Sequence, residues 1–142
     1  MIYTLSIECV WGAYLQDPFE RIVEAPDDMT LGELHEIIQD LTDFDNDHLF
    51  TFFIGRGPRG KRTELVETDE WEERHDRLYA IPLNRVFPLP PNMKLFYWFD
   101  FGDDWIFRIS KRAKPKMEED HIQYPRVTKE FGPKPVQYPR SE

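Results

Sequence analysis

The chain has 142 residues, enough for one domain that buries about two-thirds of the surface its unfolded form exposes. Its net charge of -9 disfavours broad electrostatic binding to nucleic acid, because an acidic surface repels phosphate backbones. A single cysteine excludes an internal disulfide and a Cys-rich zinc site, and no apolar run approaches the roughly 20 residues that span a bilayer.

Residues 3–10 alternate, with Tyr3, Leu5, Ile7 and Cys9 on one side and Thr4, Ser6 and Glu8 on the other. That pattern predicts a half-buried strand, with Cys9 as a buried, inert thiol. Trp11 to Gln16 reads as a loop, or as an extension past a bulge at Gly12. Phe19 to Glu24 is rich in strand formers and predicts a second strand antiparallel to the first. The clearest helix follows: Thr30 and Glu33 form a capping box, and Leu31, Leu34, Ile37, Ile38 and Leu41 recur at helical spacing. His35 falls on the flank of that face.

Asp43 to Asp47 reads as a polar loop, and Leu49 to Ile54 as a buried strand. Its acids fall at positions one, three and five of a calcium loop. His48 stands at position six, where glycine is required, and Ile54 at twelve, where a glutamate is needed, so a plain connection is the better reading. Gly55 to Arg62 (GRGPRGKR) is a basic loop that can contact phosphate and is more simply a mobile surface hairpin. Asp69 is placed to cap a short helix in which Trp71, His75 and Leu78 share a face. Tyr79 to Leu83 reads as a short extended segment, with Pro82 arguing for an edge.

Leu95 to Asp100 and Trp105 to Ser110 predict a hairpin across the turn Asp100-Phe101-Gly102-Asp103-Asp104. Leu95, Tyr97 and Phe99 oppose Phe96 and Trp98, so both faces of this strand should be covered, as in the centre of a sheet. From Ala113 the chain becomes proline-rich and loses helical pattern. Within it Ile122-Gln123-Tyr124-Pro125-Arg126 recurs as Val136-Gln137-Tyr138-Pro139-Arg140. Two copies are too few for a solenoid. They read as an extended tail whose tyrosines pack on the domain, or as a Pro-rich peptide offered to a partner.

Chemistry is sparse in this sequence. The Asp-Phe-Gly at 100–102 lacks the phosphate loop and catalytic loop of a kinase. No Gly-x-Ser-x-Gly and no zinc-protease helix occurs, and Cys9 has no activating partner. Asp100, Asp103 and Asp104, with His35 and His48 as neighbours, are the groups that can hold a divalent cation or supply an acid and a base. A turn also wants aspartate and glycine for backbone reasons alone.

Taken together, three segments resemble a family named after an open reading frame on a root-inducing Agrobacterium plasmid (the plasmid ORF-three-like family). Some of its members carry an insertion-element passenger name of TnpR type. The segments are Leu34-His35 in TLGELHEIIQ, Asp47-His48-Leu49-Phe50 in DNDHLFTF, and Tyr97 to Trp105, YWFDFGDDW. The likeness covers roughly residues 3–112, and the Tyr-Pro-rich ending is similar to that of some members. The chain departs from many of them at Phe19-Glu20-Arg21, at Asp43-Phe44 and at Phe99, where Ile-Trp-Arg, Gly-Trp and Tyr are common. The resemblance implies a single α+β domain and no established activity. No arrangement of Ser and Arg supports a resolvase.

The expectation is therefore an α+β domain over residues 1–112, with a packed extension over 113–142. Its sheet should be mixed, with a helix across one face, in a β-grasp-like β-β-α-β order that ends in a central hairpin. The protein is expected to be a cytoplasmic binding or interaction module for an unknown protein or small ligand, not a membrane protein, and more simply not an enzyme. Its candidate binding residues are His35, His48, Tyr97, Asp100, Asp103, Asp104 and Trp105. No cofactor is required by the sequence. A metal-dependent hydrolase or nuclease built on Asp100–Asp104 with His35 and His48 is the alternative.

Overall fold

Strand β1 spans Ile2–Trp11 and β2 spans Phe19–Pro26, antiparallel, with Cys9 opposite Phe19 and Tyr3 opposite Ala25. The computed structural model describes residues 1–139. Helix α1, Leu31–Thr42, begins as its capping box requires: Thr30 Oγ1 accepts from the Glu33 N–H, and the Glu33 carboxylate accepts from the Thr30 N–H. Then come β3 (Phe50–Gly55), β4 (Thr63–Glu64), α2 (Trp71–Leu78), α3 (Leu83–Val86), β5 (Lys94–Phe99), β6 (Trp105–Lys116) and β7 (Arg126–Phe131).

The sheet order is β4-β3-β5-β6-β1-β2-β7, so the β5–β6 hairpin sits at its centre. Every pairing is antiparallel, where the sequence suggested a mixed sheet. The β-grasp-like description therefore extends only to the β-β-α-β order. The reason is connectivity: β1 takes β6 as its second neighbour, and the hairpin delivers β6 running against it.

Side chains alternate strictly on the central strands. One rung across the helix-covered face reads Phe52, Tyr97, Phe107, Cys9 and Phe19, and the next reads Ile54, Leu95, Ile109 and Ile7. All of these except the partly buried Ile54 belong to the buried core. Each fully buried side chain of this size is worth about 1.5–3 kcal/mol over its exposed state, which makes these rungs the main cohesive term. Burial also pushes the Cys9 thiol up to about 12, which fits the inert thiol expected.

Phe53, Phe96 and Ile106 form a smaller cluster on the other face, with Val10 and Trp98 against it. The basic loop between β3 and β4 covers it. The Arg62 guanidinium lies 4.4 Å from the ring centroids of both Phe53 and Trp98, and Arg59 lies 4.6 Å from that of Trp11. Further along this face carboxylates pair with cations across strands: Glu8 with Arg108, Glu20 with Arg112, and Glu24 with Lys116 and Arg126.

Three local expectations change. Strand β3 starts at Phe50, leaving Leu49 exposed. The N-cap of α2 is Glu70 rather than Asp69, and Leu83–Val86 is a helical turn that the extended reading of Tyr79–Leu83 did not anticipate. Third, α1 is rotated: His35, Gln39 and Thr42 are buried, while Ile37 and Leu41 are only partly so.

The tail joins the sheet. Strand β6 continues past Arg112 to Lys116, and β7 pairs with β2 from Glu20–Phe131 to Glu24–Arg126. All six β7 side chains are exposed, so backbone pairing to the free β2 edge and the Glu24–Arg126 ion pair hold it, and no hydrophobic alternation advertises it.

The strand shift between Cys9 and Trp11 brings Gly12 against Trp105. A Cβ at Gly12 would lie 2.3 Å from Trp105 Cε3, so only glycine lets the backbone approach this ring. Gly12→Ala is expected to cost about 1–3 kcal/mol by overpacking, read as a lower urea midpoint with an unchanged slope.

Candidate functional site

The loop 43–49 between α1 and β3, the hairpin turn and α2 meet at one end of the sheet. On α1, His35 and Gln39 lie one turn apart and both face Tyr97. The Gln39 amide donates to Tyr97 Oη (2.9 Å), its Oε1 accepts from the Asn46 N–H (2.9 Å), and Tyr97 Oη lies 2.5 Å from His35 Nδ1. Since Tyr97 accepts from Gln39, its own proton goes to Nδ1. His35 therefore carries its proton on Nε2. Its ring stacks on Phe50 at 3.6 Å and 3°. Burial pulls the imidazole down to about 4, so it is neutral at pH 7, and burial also raises the Tyr97 phenol well above its usual range.

His48 belongs to a different group. Its Nε2 lies 2.7 Å from Tyr138 Oη, 3.4 Å from Asp100 Oδ2 and 3.8 Å from Asp47 Oδ2. Tyr138 donates to Asp47 (2.7 Å), as does Gln137 (2.9 Å), and Gln137 accepts from the Asp45 N–H. Lys134 pairs with Asp43. The acids that mimic a calcium loop thus form the seat of the tail's second Gln-Tyr-Pro segment; Arg140 lies outside the described residues. Against the opposing effect of burial, the bonds from Tyr138 and Gln137 hold the Asp47 carboxyl below its ordinary value.

Asp100 is buried, and its Oδ1 accepts from the N–H groups of Gly102 (3.2 Å) and Asp103 (3.3 Å). With φ near 58° it occupies the left-handed region, which aspartate tolerates by such local bonds. Burial, and then the Asp100 charge, raise the Asp103 carboxyl. Asp104 turns away to Arg59 (3.0 Å). Trp105 is fully buried, 5.0 Å from Phe44, and belongs to the core, as does Tyr97.

His35 and His48 nevertheless line one cleft of about 220 Å³, with Asn46, Leu49, Phe50, Trp71 and His75. It adjoins a hollow of about 350 Å³ lined by Leu49, Trp71, Glu72, His75 and Asp76. Trp71 and His75, four residues apart on α2, form the far wall. Arg74 fixes that wall by reaching Glu64 (3.2 Å) and the Thr68 carbonyl while lying over the Trp71 ring. Phe101 bridges from the turn, 5.4 Å from Trp71 and 4.3 Å from Trp98. Among the described residues no three His, Cys, Asp or Glu side chains are disposed to hold one metal ion.

Of the seven residues expected, His48, Asp100 and Asp103 come together, and His35 shares the cleft with His48 from its floor. Sequence reasoning missed Asn46, Trp71, His75, Gln137 and Tyr138. The four-residue spacing of Trp71 and His75 was a visible signal, and the repeated Gln-Tyr-Pro suggested tyrosines packed on the domain but not their seat against Asp47 and His48.

A family model described as "Plasmid pRiA4b ORF-3-like protein" matches residues 3–137. No curated protein matches the sequence. Among solved structures, a protein of unknown function from Methanosarcina mazei Go1 (MM3350) is similar in fold, with a TM-score of 0.66 and 22% identity. The match covers 91% of this chain and 68% of that one. No helix among the described residues is long and apolar enough to cross a membrane.

Proposed function

The chain belongs to the plasmid pRiA4b ORF-3-like family, and from that premise we propose that it is a small binding module which takes a cationic group, such as a basic peptide side chain, into the cleft between His48 and Trp71. One observation carries this reading. Phe50 and Trp71 give an aromatic floor and wall, Glu72 and Asp76 line the hollow beside them, and Asp47 and Asp100 lie against His48 on the other side. Aromatic faces attract cations and nearby carboxylates reinforce them. The floor itself stays uncharged, because His35 is neutral at pH 7. The buried Cys9, lone among 142 residues, fits a reducing cytoplasmic setting.

Titration with a short Lys/Arg peptide, followed by NMR at the Trp71 indole and the His48 ring, tests this. The basic peptide should shift both signals, an acidic peptide of equal length should not, and Trp71→Ala should weaken binding about tenfold. Equal response to both peptides, or none, refutes the reading. The metal-dependent hydrolase or nuclease retains one observation in its favour, the approach of His48 to Asp100. A melting temperature raised by one divalent ion, and no longer raised in Asp103→Ala, would favour it instead.

A further inference from the structure

The β3–β4 loop carries four cations, Arg56, Arg59, Lys61 and Arg62, and no acid, in a chain of net charge -9. Two of them shape it. Arg62 lies over Phe53 and Trp98 and donates to the Pro58 carbonyl (2.8 Å), so the loop is tied to the sheet and to itself. Arg59 lies over Trp11 and reaches Asp104 at 3.0 Å. The loop's ends close tightly, since a Cβ on Gly55 would lie 2.9 Å from the Lys61 carbonyl oxygen. This is a braced loop rather than the mobile hairpin expected.

The bracing leaves Arg56, Arg59 and Lys61 lining one cavity of about 340 Å³ with Thr63 and Met93. Arg56 and Lys61 are exposed, and among the described residues neither forms an ion pair. Asp104 already offsets Arg59, but Arg56 and Lys61 still repel each other across the concavity, and the protein has a large surplus of carboxylates that could have neutralised them. An anion from outside would relieve that repulsion. Guanidinium forks match phosphate oxygens in pairs, an ammonium adds a point charge, and the Thr63 hydroxyl supplies a further donor. The volume falls within the usual range of small-molecule sites, roughly 300–1,000 Å³, and exceeds what a lone anion needs.

We propose that this cavity binds a small molecule through its phosphate or diphosphate group. The acidic remainder of the surface disfavours a long polyanion, which separates this ligand from a nucleic acid strand. The cavity shares no lining residue with the His48 cleft, so the proposal stands independently of the function proposed there.

Pyrophosphate, titrated at low salt and followed by amide NMR and calorimetry, is the probe. Shifts should concentrate on residues 55–63, and acetate at equal concentration should give none. Arg56→Gln and Lys61→Gln should each weaken binding about tenfold or more, with unchanged melting temperature because both side chains are exposed. The proposal is overturned if residues 55–63 do not respond, if both variants bind as the parent does, or if a single-stranded oligonucleotide binds there more tightly than pyrophosphate.

Discussion

Trp105→Ala is expected to lower the unfolding free energy by about 3–5 kcal/mol, the largest effect of any single truncation in the hairpin. The side chain is fully buried, opposite Phe99 on β5, beside Phe44 from the α1–β3 loop and under the backbone of Gly12. Removing it leaves a cavity bounded by backbone on one side, which cannot easily collapse. A second variant separates volume from polarity. The indole Nε1–H is buried without a partner, so Trp105→Phe loses less packing and also removes an unsatisfied donor. Urea unfolding should rank the parent first, Phe next and Ala well below. An alanine variant within about 1 kcal/mol of the parent would refute the view that this rung holds the hairpin to the loop.

Acidification should destabilise the protein first through His35. The imidazole is lowered from an ordinary 6.5 to about 4, chiefly by burial, and the nearby His75 opposes its protonation further. Between those two values the unfolded chain binds a proton that the folded chain refuses, so stability falls as pH drops from about 6.5 to 4. The full loss is about 3 kcal/mol, and it levels off once both states are protonated. Above pH 6.5 the imidazole is neutral in both states and contributes no slope. Glu24 and Asp47 are lowered from ordinary values of 4.5 and 3.8, so their losses begin only at the acid end of this window. His35→Gln keeps an acceptor for the Tyr97 hydroxyl and should abolish the dependence between pH 6.5 and 4.5. A slope that survives this substitution would assign the acid sensitivity elsewhere.

The readable parts of the fold were those whose burial follows a local period. Alternation in β1 and in the β5–β6 hairpin assigned faces correctly, with Leu95, Tyr97 and Phe99 on one side of β5 and Phe96 and Trp98 on the other. The capping box at Thr30 was legible because both partners lie within four residues. What failed depended on distant partners. His35 and Gln39 look like flank residues until Tyr97, some sixty positions later, supplies the hydroxyl that makes their burial affordable. Strand β7 has six exposed side chains and no periodic signal, since what it satisfies is the β2 backbone. The site was half readable for the same reason. Asp100 and His48 stand out as residue types, but their roles are set by Gly102, Asp103 and Tyr138.

A seven-stranded open sheet has two borders where unpaired amides and carbonyls invite a strand from another molecule. At one border β4 is only two residues long, too short to template a ladder. At the other, β7 carries Arg126, Lys129 and Glu130, with Pro125 before it and Gly132-Pro133 after it. Proline donates no amide proton, and intruding chains would have to match charges of both signs. Both borders are thereby blunted against fibrous self-association. In a chain whose core strands are this aromatic, the short β4 and the charges and flanking prolines of β7 thus act against pairing of one sheet edge with another.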